Sequence, residues 1–271
     1  MKTFSLRDRK LVTENPAFIM AIVNATPDSF FSESRGSLDR ALKMIDEGAD
    51  LLDIGGESTR PGSAYVDEAE EIKRVVPLVR EIRKHSNIPI SIDTRKKAVM
   101  EAAFGEGADI LNDVSALEDD PLMAKFCAET NIPVILMHKR GIPGNMQSNT
   151  EYGNVFDEVS SYLEARADFA ISSGVKKESI IVDPGVGFGK DLEGNLQLIK
   201  NCGKLCGGKY PVLMALSRKT CIGQMTGREV DGRLYGTLAA DLISVLNGAF
   251  MVRVHDCAPC VDTFAVLKSL L

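Results

Sequence analysis

Short runs of aliphatic and β-branched residues recur along the chain, and each run stops at a polar residue. The runs do not alternate between apolar and polar positions, which predicts strands buried on both faces, as in a parallel sheet. Eight such strands are predicted, at residues 18–23, 51–54, 90–93, 110–113, 133–137, 180–183, 212–216 and 251–254.

Helical patterns fill the spaces between the predicted strands. Asp67 is a candidate N-cap for one of these helices, and Pro77 is expected to kink or break the same helix. Gly48, Gly107 and Gly248 fit C′ positions, where a left-handed backbone is least costly for glycine. The helical segments are residues 38–47, 67–84, 96–106, 119–130, 152–173, 193–203, 231–247 and 260–270.

Eight β–α units in a chain of 271 residues predict an α/β protein with a single (β/α)8 barrel domain over residues 1–271. The main structural alternative is a doubly wound open sheet, which usually carries a GxGxxG turn after its first strand. No such turn follows residues 18–23. We therefore expect a barrel with its active site at the carboxyl ends of the strands.

Composition and charge narrow the classes of partner. Hydrophobic residues make up 44% of the chain and the net charge is −6, which argues against a nucleic-acid surface. Residues 1–16 lack the apolar core of a signal peptide, and no apolar run approaches the roughly 18 residues of a membrane span. The expectation is a cytoplasmic protein with neither a nucleic-acid nor a membrane partner.

The cysteines leave a choice between structural thiols and a metal or redox site. Cys257 and Cys260 have CxxC spacing, and Cys202 and Cys206 form a second close pair without a nearby His. In a cytoplasmic protein, reduced and unligated thiols are the default, and that is the interpretation preferred for all six cysteines.

Polar residues follow the predicted strands and sort by chemistry. Carboxylates and amides can read the N–H edge of a planar heterocycle, whereas Arg and His beside an amide suit a phosphate. Helix capping explains the Asn and Asp residues equally well, but it does not explain the cations. The heterocycle group is Asp93, Asn112 and Asp183, the phosphate group is Asn24, Arg253 and His255, and Lys219 is placed to bridge them.

Two further features remain open. The polar loops 24–36 and 55–63 follow the first two strands and are predicted to be mobile lids over the barrel mouth. His138 follows the fifth strand, where it takes either a loop role or a role at the edge of the site, and His85 is expected at the surface.

In combination, the strand-end motifs resemble those of the dihydropteroate synthase family. The resemblance runs from about residue 17 to the end of the chain. The motifs are NATPDSF from residue 24, GGESTRPG at 55–62, SIDTRK at 91–96, LNDVSA at 111–116, MHKRG at 137–141, DPGVGFGK at 183–190, LSRK at 216–219 and RVHD at 253–256.

The resemblance implies a fold, a reaction and partners. The fold would be a pterin-binding (β/α)8 barrel. The reaction would join p-aminobenzoate to 6-hydroxymethyl-7,8-dihydropterin pyrophosphate, with Mg2+ as cofactor, and would release 7,8-dihydropteroate and pyrophosphate. The family is a sulfonamide target in folate biosynthesis, and it implies a homodimer formed through outer helices.

The resemblance also implies residue roles. The pterin would be held by polar residues and apolar walls, and the pyrophosphate by a cationic group with one amide that also binds the metal. The pterin residues would be Asp93, Asn112, Asp183 and Lys219, with Met137 and Phe188 as apolar walls. The pyrophosphate residues would be Asn24, which is also the metal ligand, Arg253 and His255. The residues near the aminobenzoate would be Thr59, Arg60, Pro61, Ser217 and Thr220.

An aromatic amine is a weak nucleophile, so we expect departure of pyrophosphate to precede amine attack, with Asp93 stabilising the cationic pterin that results. The loop at 55–63 would then form half of the aminobenzoate site once pyrophosphate is bound. Two other functions stay open: a pterin-binding methyltransferase that acts on methyltetrahydrofolate, and a non-catalytic paralogue that binds pterin. Lys219, Arg253 and His255 argue against both.

Overall fold

The computed structural model describes residues 1–25, 34–58, 63, 65–141 and 149–270. Strands and helices alternate along these residues after an amino-terminal hairpin. The strands are β1 (Lys2–Ser5), β2 (Lys10–Thr13), β3 (Phe18–Asn24), β4 (Leu51–Gly55), β5 (Ile90–Asp93), β6 (Ile110–Asp113), β7 (Val134–Met137), β8 (Ile180–Asp183), β9 (Leu213–Met214) and β10 (Met251–Val254). The α-helices are α1 (Ser34–Asp46), α2 (Glu68–His85), α3 (Lys97–Gly105), α4 (Met123–Thr130), α5 (Val155–Ser172), α6 (Leu192–Lys200), α7 (Thr220–Thr226), α8 (Leu234–Leu246) and α9 (Cys257–Leu270).

The eight strands β3 to β10 form a closed parallel barrel. They pair in the order β8-β7-β6-β5-β4-β3-β10-β9. A parallel bridge between Val182 and Val212 joins the two ends of that order. Because closure leaves no sheet edge, the open-sheet alternative is wrong and the predicted (β/α)8 barrel is confirmed.

All eight predicted barrel strands are present. The strand predicted at 212–216 is shorter than expected, because β9 ends at Met214 and the chain then turns. Lys219 donates its backbone N–H to Leu216 across this turn, and Arg218 adopts a left-handed φ of 57°. The polar residues after Met214 therefore lie in a loop at the barrel mouth.

All eight predicted helices are present, with ends within about four residues of the predicted ones, and two other features differ from the prediction. Helix α7 was not predicted, since its seven residues are too few to display a helical period. Of the two outcomes expected at Pro77, the break is wrong, because α2 runs unbroken from Glu68 to His85. Buried Val75 and Val79 flank the proline and pack into the core, which offsets the hydrogen bond that proline cannot donate.

The predicted helix ends are confirmed. The Asp67 side chain accepts a hydrogen bond from the Glu70 backbone N–H at 2.8 Å, as an N-cap does. Gly48, Gly107 and Gly248 have φ values of 96°, 101° and 103°, in the left-handed region. Each ends a helix directly before the buried strand that follows it.

The amino-terminal hairpin covers one end of the barrel. Phe4, Leu6 and Leu11 are buried in one cluster with the first inward residues of the strands. Sequence analysis missed this hairpin, although its buried and exposed positions alternate with the period of a strand. The strand residues in the cluster are Phe18, Met20, Leu51, Ile110, Ile135, Ile181, Leu213 and Met251.

The cysteines are all buried and free of disulfides. Cys257 lies at the start of α9, where its Sγ contacts the Met44 carbonyl oxygen at 3.6 Å. Cys202 contacts the Ser244 carbonyl oxygen at 3.3 Å. Within the described residues, the helices include none long and apolar enough to span a membrane.

The hairpin seals the apolar end of the barrel, so we expect Phe4→Ala to lower the free energy of unfolding by about 3–5 kcal/mol. Val12→Ala, at an exposed position on β2, is the matched control and should change stability by less than about 0.5 kcal/mol. Urea unfolding followed by circular dichroism measures both variants. Equal stabilities for the two variants would contradict a sealing role for the hairpin.

Candidate active site

Above the apolar end, the inward positions of the barrel become polar. Asp93 pairs in register with Gly55 on one side and Asn112 on the other, at the carboxyl ends of β4, β5 and β6. Asp53 lies two residues before Gly55 on β4 and is completely buried. Since side chains alternate along a strand, Asp53 faces the same interior as the predicted site residues.

Arg253 joins this polar layer across the barrel. Its Nε donates to Asp53 Oδ2 at 2.6 Å, and its Nη2 donates to Asp93 Oδ2 at 2.8 Å. Asn112 Nδ2 donates to the same Asp53 carboxylate, at 3.2 Å from Oδ2. One guanidinium is thus held between two buried carboxylates from different strands.

Burial dominates the electrostatics of the layer. It raises the pKa of Asp93 to about 7, even though Arg253 lowers it and Asp53 is the next influence that raises it. Burial also raises the pKa of Asp183, against the opposing effect of Lys219. The barrel mouth therefore contains one carboxyl group, that of Asp93, with a pKa close to neutral, and a second, that of Asp183, with a raised pKa.

A second group forms around the turn after β8. Gly185 donates its N–H to Asp183 Oδ1 at 2.7 Å. Lys219 Nζ donates to the Val186 carbonyl oxygen at 2.6 Å and lies 4.9 Å from the centre of the Phe188 ring. Burial lowers the pKa of Lys219, while Asp183 raises it. The predicted pterin residues Asp183, Phe188 and Lys219 are therefore neighbours.

The carboxyl ends of β9 and β10 are joined by Ser217 and His255. The Ser217 hydroxyl lies 3.0 Å from His255 Nδ1 and accepts the His255 backbone N–H at 3.1 Å. Asn24 is exposed at the end of β3, which pairs directly with β10. The three predicted phosphate residues therefore lie on adjacent strands, as expected from a closed barrel.

The surroundings of His138 indicate a structural role. It is buried, and Lys190 Nζ donates to its Nδ1 at 2.9 Å. Burial lowers its pKa to about 3, which keeps the ring neutral. His138 therefore supports the loops after β7 and β8, whereas Asp93 and Arg253 line the barrel mouth.

Ion pairs also connect consecutive loops around the rim. Arg95, which follows β5, contacts both Glu57 after β4 and Asp119 before α4, each at 2.9 Å. Asp119 in turn accepts from Lys139 after β7 at 3.0 Å. Lys96 pairs with Glu57 and with the buried Glu71 of α2. These contacts hold the described parts of four loops together beside the pocket.

The predicted site residues are mostly brought together. Met137 is buried at the end of β7, where it pairs in register with Asp183, and Thr220 is exposed at the start of α7. Thr59, Arg60 and Pro61 lie outside the described residues, as do large parts of the predicted lids 24–36 and 55–63.

Sequence reasoning missed two charged residues. The pattern at 51–54 predicts an apolar strand, and Asp53, a lone Asp among Leu and Ile, is the one signal of a polar position there. Lys190 stood inside the motif at 183–190 but was given no role. A lysine four residues after buried Val186 gives no sign by itself that it too is buried.

The chain matches known proteins over nearly its whole length. The family described as "Pterin binding enzyme" matches residues 20–255. A dihydropteroate synthase of Haemophilus influenzae is 44% identical over 256 residues, which are 93% of each chain.

Solved structures give the same result. A Xanthomonas albilineans dihydropteroate synthase with 4-aminobenzoic acid has a TM-score of 0.92 at 39% identity, covering 99% of this chain and 97% of that one. The enzyme from that organism in complex with 7,8-dihydropteroate has a TM-score of 0.89 at 37% identity, covering 99% and 98%. The chain belongs to the pterin-binding enzymes and, among them, to the dihydropteroate synthase family.

Arg253→Met would leave two buried carboxylates without their shared cation. We expect the free energy of unfolding to fall by about 3–5 kcal/mol at pH 8. The loss should shrink toward pH 5, because Asp93 then takes up a proton and one of the two unpaired buried charges is removed. In this range the folded variant binds more protons than the unfolded chain, so its stability falls as pH rises.

Urea unfolding at pH 5 and pH 8 measures this difference. Arg80→Met is the matched control, since Arg80 makes a similar bidentate contact with Glu106 on the exposed outer surface. It should change stability little at either pH. If Arg253→Met lowers the free energy of unfolding equally at both pH values, the proposed pairing of Arg253 with Asp53 and Asp93 is contradicted.

Proposed function

We propose that this chain joins p-aminobenzoate to 6-hydroxymethyl-7,8-dihydropterin pyrophosphate and releases 7,8-dihydropteroate and pyrophosphate. As a dihydropteroate synthase it is a transferase of folate biosynthesis. The observation that carries the proposal is Arg253, which connects the acidic pocket to the strand end where His255 lies. A pterin and its leaving group need these two environments side by side.

The pterin half of the site supplies acceptors and a flat wall. Asp93, Asn112 and Asp183 place oxygen atoms at the mouth, which suits the amino and ring N–H groups of a pterin. Phe188 offers an aromatic face, and Lys219 lies over that face. These five residues give a small heterocycle both orientation and an apolar surface.

The leaving-group half supplies positive charge. Arg253 can form bidentate contacts with phosphate oxygens, and His255 lies two residues further along the same edge of the barrel. As pyrophosphate takes up negative charge in the transition state, both groups can stabilise it. Arg253 would then exchange part of its contact with Asp93 for one with the phosphate.

We include Mg2+ as the cofactor and Asn24 as its protein ligand. The Asn24 side chain is exposed at the carboxyl end of β3, and the described residues contain no cluster of three or more His, Cys, Asp or Glu arranged for a metal. One amide oxygen with substrate phosphates fits Mg2+, which usually takes few protein ligands. When bound, the ion would neutralise phosphate charge.

We further propose that the C–O bond breaks before the amine attacks. Asp93 would face the cationic pterin, and a carboxylate stabilises a nearby delocalised cation strongly in a pocket with little water. This role requires ionised Asp93. Because its pKa is raised to about 7 by burial, kcat/KM for the pterin substrate should increase as pH rises from 6 to 8.

The test is an assay with purified protein, dihydropterin pyrophosphate, p-aminobenzoate and Mg2+, in which both products are followed. We expect pyrophosphate and dihydropteroate to appear together and neither to form without Mg2+. Asp93→Asn should lower kcat by about a hundredfold or more and abolish the rise between pH 6 and 8. Lys219→Ala is expected to weaken pterin binding.

Other outcomes of this assay identify the rival functions. Pterin binding without either product would support a non-catalytic paralogue, and methyl transfer from methyltetrahydrofolate would support a methyltransferase. Full activity in Asp93→Asn would contradict the proposed stabilisation of the cation.

Sulfonamides should compete with p-aminobenzoate, as the family resemblance implies.

We also propose a homodimer that forms through α8. This helix is apolar on its outward side, where Tyr235, Ile243 and Leu246 are 82%, 49% and 57% exposed. Its polar residues Asp241 and Ser244 are instead buried. Exposed apolar residues on an outer helix are typical of an interaction surface. The same face of a second copy of this chain would bury them in a self-complementary interface.

Light scattering tests the dimer. We expect a mass near twice 29.4 kDa for the wild type and a shift toward 29.4 kDa for Ile243→Glu. Phe169→Glu places the same charge on an exposed aromatic position of α5 and should leave the dimer intact. A monomeric wild type would contradict the proposal.

We also propose a cytoplasmic location, which the six free thiols fit and which cell fractionation can test.

A further inference from the structure

The turn after β8 is stabilised from inside the protein by a buried lysine. Lys190 is only 3% exposed. Its Nζ lies 2.9 Å from each of three acceptors, which are His138 Nδ1 and the carbonyl oxygens of Gly185 and Phe188. An ammonium group has three N–H donors, so all of them are used within this cluster.

The His138 ring is a suitable acceptor for this lysine. Burial lowers the pKa of His138 to about 3, so the ring is neutral and its Nδ1 can accept while Nε2 carries the proton. The ring of Tyr162 packs against it edge-on, with 4.9 Å between the ring centres. The acceptor is thus fixed in position as well as in protonation state.

The backbone of the turn is tightly constrained. Gly185, Gly187 and Gly189 have φ values of 64°, 86° and 67°, a region that other residues seldom adopt. A Cβ atom on Gly185 would lie 1.8 Å from the carbonyl oxygen of His138. The turn therefore packs directly on the backbone after β7, and Lys190 ties the same two segments together.

Three groups of the pterin half of the site depend on this turn. Gly185 holds the Asp183 carboxylate, and the Val186 carbonyl oxygen holds Lys219. Phe188 lies in the turn itself, and its carbonyl oxygen accepts a hydrogen bond from Lys190. A shift of this backbone would therefore move the acidic, cationic and aromatic groups of the pterin pocket together.

Burying a lysine in this way is costly. Burial lowers the pKa of Lys190 to about 7, although Asp183 raises it. An apolar side chain of similar length would avoid that cost, but it would leave the carbonyl oxygens of Gly185 and Phe188 without this donor. The lysine is therefore kept for its donors, which points to a requirement set by the turn.

We propose that Lys190 is a positioning residue for the pterin substrate, acting through the turn 185–189 that presents Phe188 and orients Asp183 and Lys219. The inference rests on the proposed function, because it assigns this turn to pterin recognition. Lys190 itself is not a catalytic residue, since all three of its donors are occupied inside the protein. Its contribution should appear in pterin affinity and leave aminobenzoate affinity unchanged.

The test is Lys190→Met in the full chain, a change that keeps side-chain length and removes the donors. We expect the KM for dihydropterin pyrophosphate and the Kd for 6-hydroxymethylpterin, measured by calorimetry, to rise about tenfold or more. The KM for p-aminobenzoate should stay within about twofold. Lys200→Met, at an exposed lysine ten residues further on, is the matched control and should change none of these values.

A second variant guards against misfolding. His138→Phe keeps the ring packing with Tyr162 but removes one acceptor, and it should weaken pterin binding in the same direction. Unchanged pterin affinity in either folded variant, or equal losses for both substrates, would overturn the proposal. Wild-type protein that binds no pterin would instead refute the proposed function. Binding is measured without turnover, so an inactive wild type still permits the test.

Discussion

The site depends on one partly buried guanidinium held between two buried carboxylates. Arg253 on β10 contacts Asp53 on β4 and Asp93 on β5, and β3 lies between β10 and β4. Such a cluster costs desolvation energy and is kept only where its groups satisfy one another. It forms because a closed barrel directs alternate residues of every strand into one interior. An open sheet would leave these side chains far apart.

The same cluster divides the barrel into functional regions. On one side of Arg253 lie groups suited to a heterocycle, and on the other lie His255 and Ser217 at the ends of β10 and β9. The apolar end beneath is sealed by the hairpin with Phe4. The sealed amino-terminal end contributes stability, which helps the carboxyl ends to hold charges that would otherwise weaken the fold.

Much of the fold could be predicted from the sequence because buried parallel strands leave a clear record. The run FIMAIV and its seven counterparts each gave a barrel strand, and Gly48 marked a helix end. The hairpin was not predicted because β1 and β2 are short and each is exposed on one face. Helix α7 escaped because seven residues hold too few turns to show a period.

The candidate site was predictable to the extent that strand ends could be found. Asn112, Asp183 and Arg253 follow directly from that rule, whereas Asp53 lies one layer deeper, where the sequence suggested apolar packing. Which side chains contact one another is harder still to predict. Nothing in the motif at 183–190 indicates that Lys190 turns inward to His138, because that contact depends on how two loops pack in three dimensions.

The most direct test of the account concerns the order of bond breaking at this charged mouth. Dihydropterin pyrophosphate carrying 18O in the bridge between carbon and phosphorus is incubated with the protein and Mg2+, without p-aminobenzoate. If the site stabilises a pterin cation while holding its leaving group, the label will move from the bridge to non-bridging positions in recovered substrate. A label that stays in the bridge, in protein that forms dihydropteroate once the amine is added, would contradict the account.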